Sequence, residues 1–230
     1  MKNIAIIPAR GGSKRVKNKN IIDFHGKPMI FYILKSLADS KVFEEIHVST
    51  DSVEIKKIVE ALGYEVEFMR PNSLADDYTG IVPVLQWVLK EYNLKGLNFD
   101  NICCALPTAP LITSKDIRKS YEQYLKLKCK FPLHAVSKIP VPIEWTYRIN
   151  AEGNLIPIMP DMLKKRSQDL EEAYYDAGAF SWFPINYFSS LMSQDQPFIP
   201  YLLARDRSVD IDNLDDLEFA KKLFKNIDPE

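Results

Sequence analysis

Short apolar runs rich in β-branched residues alternate with longer amphipathic segments along most of the chain, and this alternation constrains the fold more than any other feature. The runs predict strands at residues 3–8, 46–50, 65–68, 102–106 and 133–137. The longer segments predict helices at residues 29–40, 52–62, 81–92 and 115–127. Capping boxes are predicted from Asp51 with Glu54 and from Thr113 with Asp116. Strands that alternate with helices predict an α/β fold, in which a mainly parallel sheet has helices on both faces.

The pattern changes between residues 139 and 183, where four prolines break any helix. Residues 145–150 and 154–158 flank Ala151-Glu152-Gly153 and predict a hairpin. We expect an excursion from the sheet at about 139–180, serving as a lid or a dimer contact within a single domain that spans 1–230. The chain then returns through predicted strands at 198–203 and 209–211 to a last helix at 214–225.

Positive charge is concentrated at the start of the chain. The first 22 residues carry six basic residues and no acidic one, although the whole chain has a net charge of −1. A protein that grips nucleic acid with its whole surface would be basic throughout. The distribution instead predicts a local anion site on an otherwise acidic body, with no nucleic acid as a partner.

The loop at residues 8–20 (PARGGSKRVKNKN) follows the first predicted strand and contains the adjacent pair Gly11 and Gly12. Glycines allow backbone N–H groups to turn toward a ligand, and ligands of parallel sheets bind at the carboxyl ends of strands. The loop has the pattern of neither a Walker A loop nor a dinucleotide fingerprint. It predicts a nucleoside triphosphate site, and a solvated basic loop is the alternative that remains open.

Two aspartates near the end of the chain alternate with aliphatic residues: Asp210 and Asp212 with Val209 and Ile211. On a strand, this period places both carboxylates on one face and both aliphatic side chains on the other. Mg²⁺ prefers one or two carboxylates completed by phosphate oxygens and water, so the pair predicts a magnesium site beside the triphosphate. In the alternative, Asp212 or Asn213 only caps the last helix and Asp210 is exposed.

Other function classes find little support in the sequence. At 46% hydrophobic and 27% charged residues, the composition is that of an ordinary globular protein. We find no membrane span or signal peptide and expect a cytoplasmic protein without membrane partners. Cys103, Cys104 and Cys129 lack zinc-site spacing and predict reduced thiols. The three histidines, His25, His47 and His134, are far apart in sequence and predict structural roles.

Six motifs stand out in chain order: IIPARGGSKR (6–15), KN (19–20), VSTD (48–51), RP (70–71), PTAPL (107–111) and DID (210–212). Together they resemble the motifs of the acylneuraminate cytidylyltransferases, which couple nonulosonic acids to CTP. The resemblance covers nearly the whole chain. It implies a three-layer α/β/α domain of the Rossmann-like, nucleotide-diphospho-sugar transferase type.

The resemblance also implies roles for individual residues. Arg10 and Lys19 would act in catalysis on the triphosphate, and Asp210 and Asp212 would hold Mg²⁺. The nucleotide would be bound by Ala9, Arg10, Gly12, Ser13, Asn20, Arg70 and Thr79. CTP and an acid sugar would be the substrates, and a homodimer is expected only through the family.

Two features bear on the sugar. Leu106 stands where sialic acid enzymes usually have Gln, and residues 166–178 (RSQDLEEAYYDAG) are similar to a tract of the pseudaminic acid cytidylyltransferases. The resemblance implies that Gln168, Tyr174 and Asp176 bind pseudaminic acid, for surface glycan or flagellin glycosylation. Without it, the tract would be read as an amphipathic surface helix.

Several alternatives stay open. Another acid sugar, namely legionaminic acid, N-acetylneuraminic acid or 3-deoxy-octulosonate, could replace pseudaminic acid. A non-catalytic nucleotide-binding regulator would keep the basic loop but would not need Asp210 and Asp212.

Overall fold

Within residues 1–188 and 197–225, which the computed structural model describes, six strands form one sheet. They are β1 (Asn3–Pro8), β4 (Glu45–Ser49), β5 (Asn101–Ala105), β6 (Leu133–Lys138), β9 (Tyr174–Pro184) and β10 (Ile199–Leu202). Two small ladders pair β2 (Asp23–Phe24) with β3 (Lys27–Pro28) and β7 (Tyr147–Ile149) with β8 (Leu155–Pro157). The helices are α1 (Ile30–Ser40), α2 (Val53–Ala61), α3 (Ile81–Leu94), α4 (Ser114–Lys126) and α5 (Leu214–Phe224). The predicted α/β class is confirmed.

Strand β1 is buried on both faces, as expected for a central parallel strand. Ala5 and Ile7 belong to a core cluster that includes residues of α1, α2 and α4. Ile4 and Ile6 face the other side, where they share a cluster with Leu85 and Val88 of α3. The alternation of side chains along one strand therefore fills both interfaces of a helix–sheet–helix arrangement.

The strand order places a switch point next to β1. The sheet runs β10-β6-β9-β5-β1-β4, and β1 pairs in parallel with both β4 and β5. The chain leaves β1 for β4 on one side and later crosses to β5 on the other side. Ligands of open α/β sheets bind outside the carboxyl ends of strands at such a point.

Strand β9 is the main feature that the sequence pattern missed. Residues 174–184 lie antiparallel between β5 and β6, in the middle of the sheet. The excursion therefore ends at residue 173, and its predicted end at about 180 is wrong. Aromatic and small residues of this strand are buried on both faces from Ala177 onward, so the sequence lacks the alternation that marks a half-exposed strand.

The excursion itself leaves the sheet after β6 and contains the hairpin of β7 and β8 around Gly153, as predicted. Much of its apolar surface is exposed, including Ile149 at 73% and Leu155 at 64%.

Two predicted strands are absent. Residues 65–68 are irregular and pair with no described strand, so β4 is the edge of the sheet. Just after them, Arg70 N–H donates to Thr50 O at 2.7 Å. Residues 209–211 are also irregular, since no strand among the described residues is paired with them. Ile211 is nevertheless fully buried against α5 and Phe24, so the predicted inward direction of its side chain is correct.

All three cysteines are free thiols, and burial raises the pKa of Cys103 and Cys104.

In the described ranges, no helix combines the length and the apolar character that a membrane span needs.

Candidate active site

A cleft of about 560 Å³ opens at the carboxyl ends of β1 and β5. Its walls come from the basic loop at residues 8–20, from residues 106–108 after β5, and from Asp210 and Asp212. The structure thus brings together the cationic loop and the carboxylate pair, which are about 200 residues apart in sequence. This cleft lies at the switch point of the sheet, where a ligand of such a fold is expected.

The start of the basic loop is fastened to the neighbouring edge strand. Ala9 is buried and its N–H donates to Ser49 O at 2.9 Å, while Gly11 N–H donates to Asp51 Oδ1 at 2.9 Å. The predicted capping box of Asp51 and Glu54 is therefore wrong. Ser52 caps α2 instead, accepting from Ile55 N, which leaves the Asp51 carboxylate for the loop.

The rest of the loop turns outward into the cleft. Asn20 is buried, and its side-chain amide donates to Arg10 O at 2.9 Å. This hydrogen bond connects the end of the loop to its beginning. Gly12 is exposed, and Ser13 lines the cleft. A Cβ on Gly12 would approach an Arg10 guanidinium nitrogen at 3.8 Å, an ordinary contact.

Four cations of the loop are paired with carboxylates from two other segments. Arg10 donates to Asp77 Oδ1 at 2.8 Å, and Lys14 also pairs with Asp77. Arg15 donates two bonds to Asp212, at 2.7 and 2.8 Å, and Lys19 donates a third at 3.1 Å. The loop is thus partly neutralised by the protein itself, at positions where a polyanion could replace the carboxylates.

Asn213, rather than Asp212, caps α5. Asp216 N–H donates to Asn213 Oδ1 at 2.9 Å, and the Asp216 carboxylate accepts from Asn213 N in return. The Asp212 carboxylate is therefore free to face the cleft. Against the raising effect of its burial, Lys19 and Arg15 lower the pKa of Asp212.

Asp210 has a different environment from Asp212. Burial raises the pKa of its carboxyl, and the negative charges of Asp212 and Asp176 raise it further, against the lowering effect of Lys19. The side chain packs on Gly178 of β9, where an added Cβ would lie 2.9 Å from Asp210 Cγ. A repelling pair of carboxylates of this kind is typical of a cation site.

The irregular segment that carries the aspartates is held from two sides. Arg207 donates to both oxygens of the nearly buried Asp116 of α4, at 2.5 and 2.6 Å. Tyr175 of β9 bonds to Ser208 Oγ at 2.8 Å. No local sequence signal marks Arg207, Tyr175 or Ser208 as part of the site, because their partners are distant in sequence.

Four residues predicted on the nucleotide side, namely Ala9, Gly12, Arg70 and Thr79, are not part of the cleft wall, and the last two lie outside the basic loop. Arg70 is 5% exposed, and its guanidinium donates to Ser49 Oγ and Ser49 O at 3.0 and 2.6 Å. It supports the end of β4, next to the residue that anchors Ala9. Thr79 belongs to the loop that carries Asp77, and its N–H donates to Asp76 Oδ1 at 2.6 Å.

The residues predicted on the sugar side are spread along one tract. Residues 167–169 form a single 3₁₀ turn and the chain then extends into β9, so the alternative of an amphipathic helix is wrong. Gln168 is exposed on that turn, and Tyr174 is 43% exposed with its hydroxyl donating to Glu172 at 2.8 Å. Asp176 accepts from Gly178 N at 2.8 Å and lies on the Asp210 side of the strand.

Asp51 and Asp77 were not recognised from the sequence as residues of this site. The sequence does contain an acidic pair at 76–77, whose charge is complementary to that of the basic loop.

Comparisons with known proteins agree with this geometry. The profile of the cytidylyltransferase family matches residues 4–177. A pseudaminic acid cytidylyltransferase of Campylobacter jejuni is 38% identical to this chain over an alignment 232 residues long. The alignment covers 98% of this chain and 97% of that protein. A CMP-N,N'-diacetyllegionaminic acid synthase of Legionella pneumophila is 33% identical over 171 residues, 74% of this chain and 70% of that protein. The solved structure of CMP:2-keto-3-deoxy-manno-octonic acid synthetase with CTP has the same fold, with a TM-score of 0.73 at 17% identity and coverage of 98% and 99%.

Proposed function

The chain belongs to the cytidylyltransferase family, and from this membership we propose that it couples CTP to a free nonulosonic acid, specifically pseudaminic acid. The products are the CMP-sugar and pyrophosphate. The enzyme is a nucleotidyltransferase. The observation that carries the proposal is the cleft in which Arg10, Lys19 and their neighbours face Asp210 and Asp212.

CTP supplies the polyanion for the basic loop. Its phosphate oxygens would take over the cations that Asp77 and Asp212 now neutralise, since charge-assisted bonds to phosphate are strong. Gly12 and Ser13 would contribute N–H and hydroxyl donors on the same side, and Ala9, Asn20 and the buried Arg70 would keep the loop in place.

Mg²⁺ is the proposed cofactor, held by Asp210 and Asp212. Among the described residues, no group of three or more His, Cys, Asp or Glu side chains is arranged as a metal site. A pair of carboxylates suits Mg²⁺, which completes its shell with phosphate oxygens and water. Burial and the charge of Asp212 raise the pKa of Asp210, and a cation between the two carboxylates would offset that repulsion. When bound, Mg²⁺ supplies positive charge beside the phosphates.

The proposed reaction is an in-line displacement. The anomeric hydroxyl attacks the α-phosphorus, the bond to the β-phosphate oxygen breaks, and the hydroxyl proton is lost as pyrophosphate leaves. Arg10 and Lys19 would stabilise the charge that develops on pyrophosphate, and the cleft would hold both reactants in line. No covalent enzyme intermediate is needed.

The choice of pseudaminic acid rests on the relative that is 38% identical along nearly its whole length. Asp176, Gln168 and Tyr174 would bind the sugar, and Leu106 gives the cleft an apolar wall after β5. The legionaminic acid relative covers less of the chain, so legionaminic acid is the second candidate.

The test is release of pyrophosphate from CTP and Mg²⁺ with a panel of nonulosonates. We expect release with pseudaminic acid and much slower release with legionaminic, N-acetylneuraminic and 3-deoxy-octulosonic acids. Faster turnover of another acid would reject the sugar assignment. CTP binding without release by any acid would instead support a nucleotide-binding regulator.

We also propose that the reaction is cytoplasmic, because CTP is a cytoplasmic metabolite.

We propose in addition a homodimer that uses the exposed apolar residues of the β7–β8 hairpin. Light scattering of the wild type and of the double variant Ile149→Glu, Leu155→Glu tests the dimer. A monomeric wild type would reject it.

A further inference from the structure

His134 of β6 lies between two residues of β9 and bonds to both. Its Nδ1 is 2.5 Å from Ser181 Oγ, and its Nε2 is 3.1 Å from Asp176 Oδ1. Ser181 is buried at 8% exposure, whereas the Asp176 side chain is 64% exposed. The imidazole therefore joins an internal hydroxyl to a carboxylate at the surface of the site.

The two partners of His134 lie on opposite sides of a bulge in β9. His134 is paired with Ser181 and Val136 with Asp176, so on the β6 side residues 177–180 of β9 have only Ala135 opposite them. Such bulges redirect side chains and are frequent beside active sites. His134 spans the base of this bulge, which contains Gly178.

The bulge supports both the sugar side and the metal side of the proposed site. Gly178 has a φ of +59°, and its N–H donates to Asp176 Oδ1 at 2.8 Å. Gly178 is also in contact with the Asp210 side chain. A shift of Asp176 would therefore be transmitted through Gly178 to Asp210.

A neutral imidazole can satisfy both partners of His134. In the neutral imidazole with its proton on Nε2, the Ser181 hydroxyl donates to Nδ1 and Nε2–H donates to Asp176. His134 also lowers the pKa of Asp176, against the effect of burial, so the carboxylate remains ionised as an acceptor.

We infer that His134 is a positioning residue, which holds the Asp176 carboxylate and the Gly178 bulge in the geometry that the acid sugar and Asp210 require. The inference rests on the proposed function. It assigns to His134 a role that does not involve contact with either substrate.

Two substitutions at His134 test its hydrogen bonds to Ser181 and to Asp176 separately. The amide of Gln reaches about as far as Nε2, so His134→Gln can still donate to Asp176. The shorter amide of Asn lies near the place of Nδ1, so His134→Asn can accept from Ser181 but leaves Asp176 without its side-chain donor. His25→Asn is the matched control, since His25 bonds to Lys221 O away from the cleft and has a φ of 49°, which Asn tolerates.

Steady-state kinetics should distinguish an effect on the acid sugar from an effect on CTP. For His134→Asn we expect kcat/KM for the acid sugar to fall ~10-fold or more, the scale for losing a supporting hydrogen bond, with KM for CTP unchanged. His134→Gln should recover most of the loss, and His25→Asn should match the wild type. Equal losses in the Gln and Asn variants, or a raised KM for CTP with an unchanged KM for the acid sugar, would overturn the inference.

Hydrogen exchange gives a readout that does not need turnover. The amide of Gly178 is protected by Asp176, so peptides covering β9 should exchange faster in His134→Asn but not in His134→Gln. Unchanged exchange in His134→Asn would overturn the inference. If the wild type uses no nonulosonate, the proposed function fails, and the exchange comparison alone decides whether His134 holds the bulge.

Discussion

Gly178 lies directly against Asp210: a Cβ at position 178 would be 2.9 Å from Cγ and 3.0 Å from Cβ of that aspartate. The contact joins a bulge in the centre of the sheet to a segment without regular structure. It explains how a chain with few glycines uses one of them inside a strand, since no other residue leaves room for the carboxylate and accepts a φ of +59°.

Gly178→Ala should therefore lower turnover strongly, because the new methyl group displaces Asp210. Gly153→Ala is the matched control, since Gly153 also has a positive φ of +82° but has open space around it. Both variants should lose ~1 kcal/mol of stability from the left-handed backbone. Thermal melts and kcat check this, and equal kcat in the two variants would show that the contact does not matter for activity.

Asp212→Asn should lower kcat by at least ~100-fold, the scale for losing one preorganised charge contact. The fold should persist, because Asn213 and Asp216 cap α5 without the Asp212 side chain. The measurement is pyrophosphate release across a magnesium titration, with the exposed Asp215→Asn as the control for charge. Near-normal rates at saturating Mg²⁺ would contradict the metal role.

Asp77→Asn should strengthen CTP binding. In the ligand-free protein Asp77 neutralises Arg10 and Lys14, which in turn lower the pKa of its carboxyl, and the triphosphate must displace it. We expect KM for CTP to fall roughly two- to five-fold, in line with an exposed ion pair, and the difference to shrink at high salt. The exposed Asp161→Asn makes the same change of charge outside the cleft and should have no effect. A raised KM in Asp77→Asn would mean that Asp77 orients Arg10 instead of competing with the nucleotide.

Arg207→Ala should destabilise the protein by about 3 kcal/mol, because it leaves the buried Asp116 carboxylate without its cation. Lys221→Ala removes an exposed pair with Glu218 and should cost at most ~0.5 kcal/mol. Urea unfolding measures both. Because Arg207 is three residues before Asp210, activity should also fall under conditions in which the variant remains folded. A variant as stable as the wild type would show that the pair does not hold this segment.

Much of the site could be predicted because its chemistry is local in sequence. The loop at residues 8–20 combines cations with glycines directly after a strand, and the alternation around Ile211 fixes which way the two aspartates point. The helices follow from periodic amphipathic patterns, and the central parallel strands follow from short, continuous apolar runs.

The residues that hold the site could not be predicted in this way. Asp51 has the sequence context of a helix cap but accepts from Gly11, and the acidic pair at 76–77 does not indicate which cations Asp77 contacts. His134 differs little in sequence from the other isolated histidines, and its role depends on the register of β6 against β9.

The sequence alone determined the α/β class, the cationic loop, the aspartate pair and the resemblance to a cytidylyltransferase, because all of these depend on residue type and short spacing. Only the tertiary structure decided that β9 runs antiparallel through the centre of the sheet, that its bulge supports Asp210, and which carboxylate pairs with which cation. Those outcomes depend on contacts between residues up to 197 positions apart. Such contacts form only when the strands and helices pack together, and no local preference determines them.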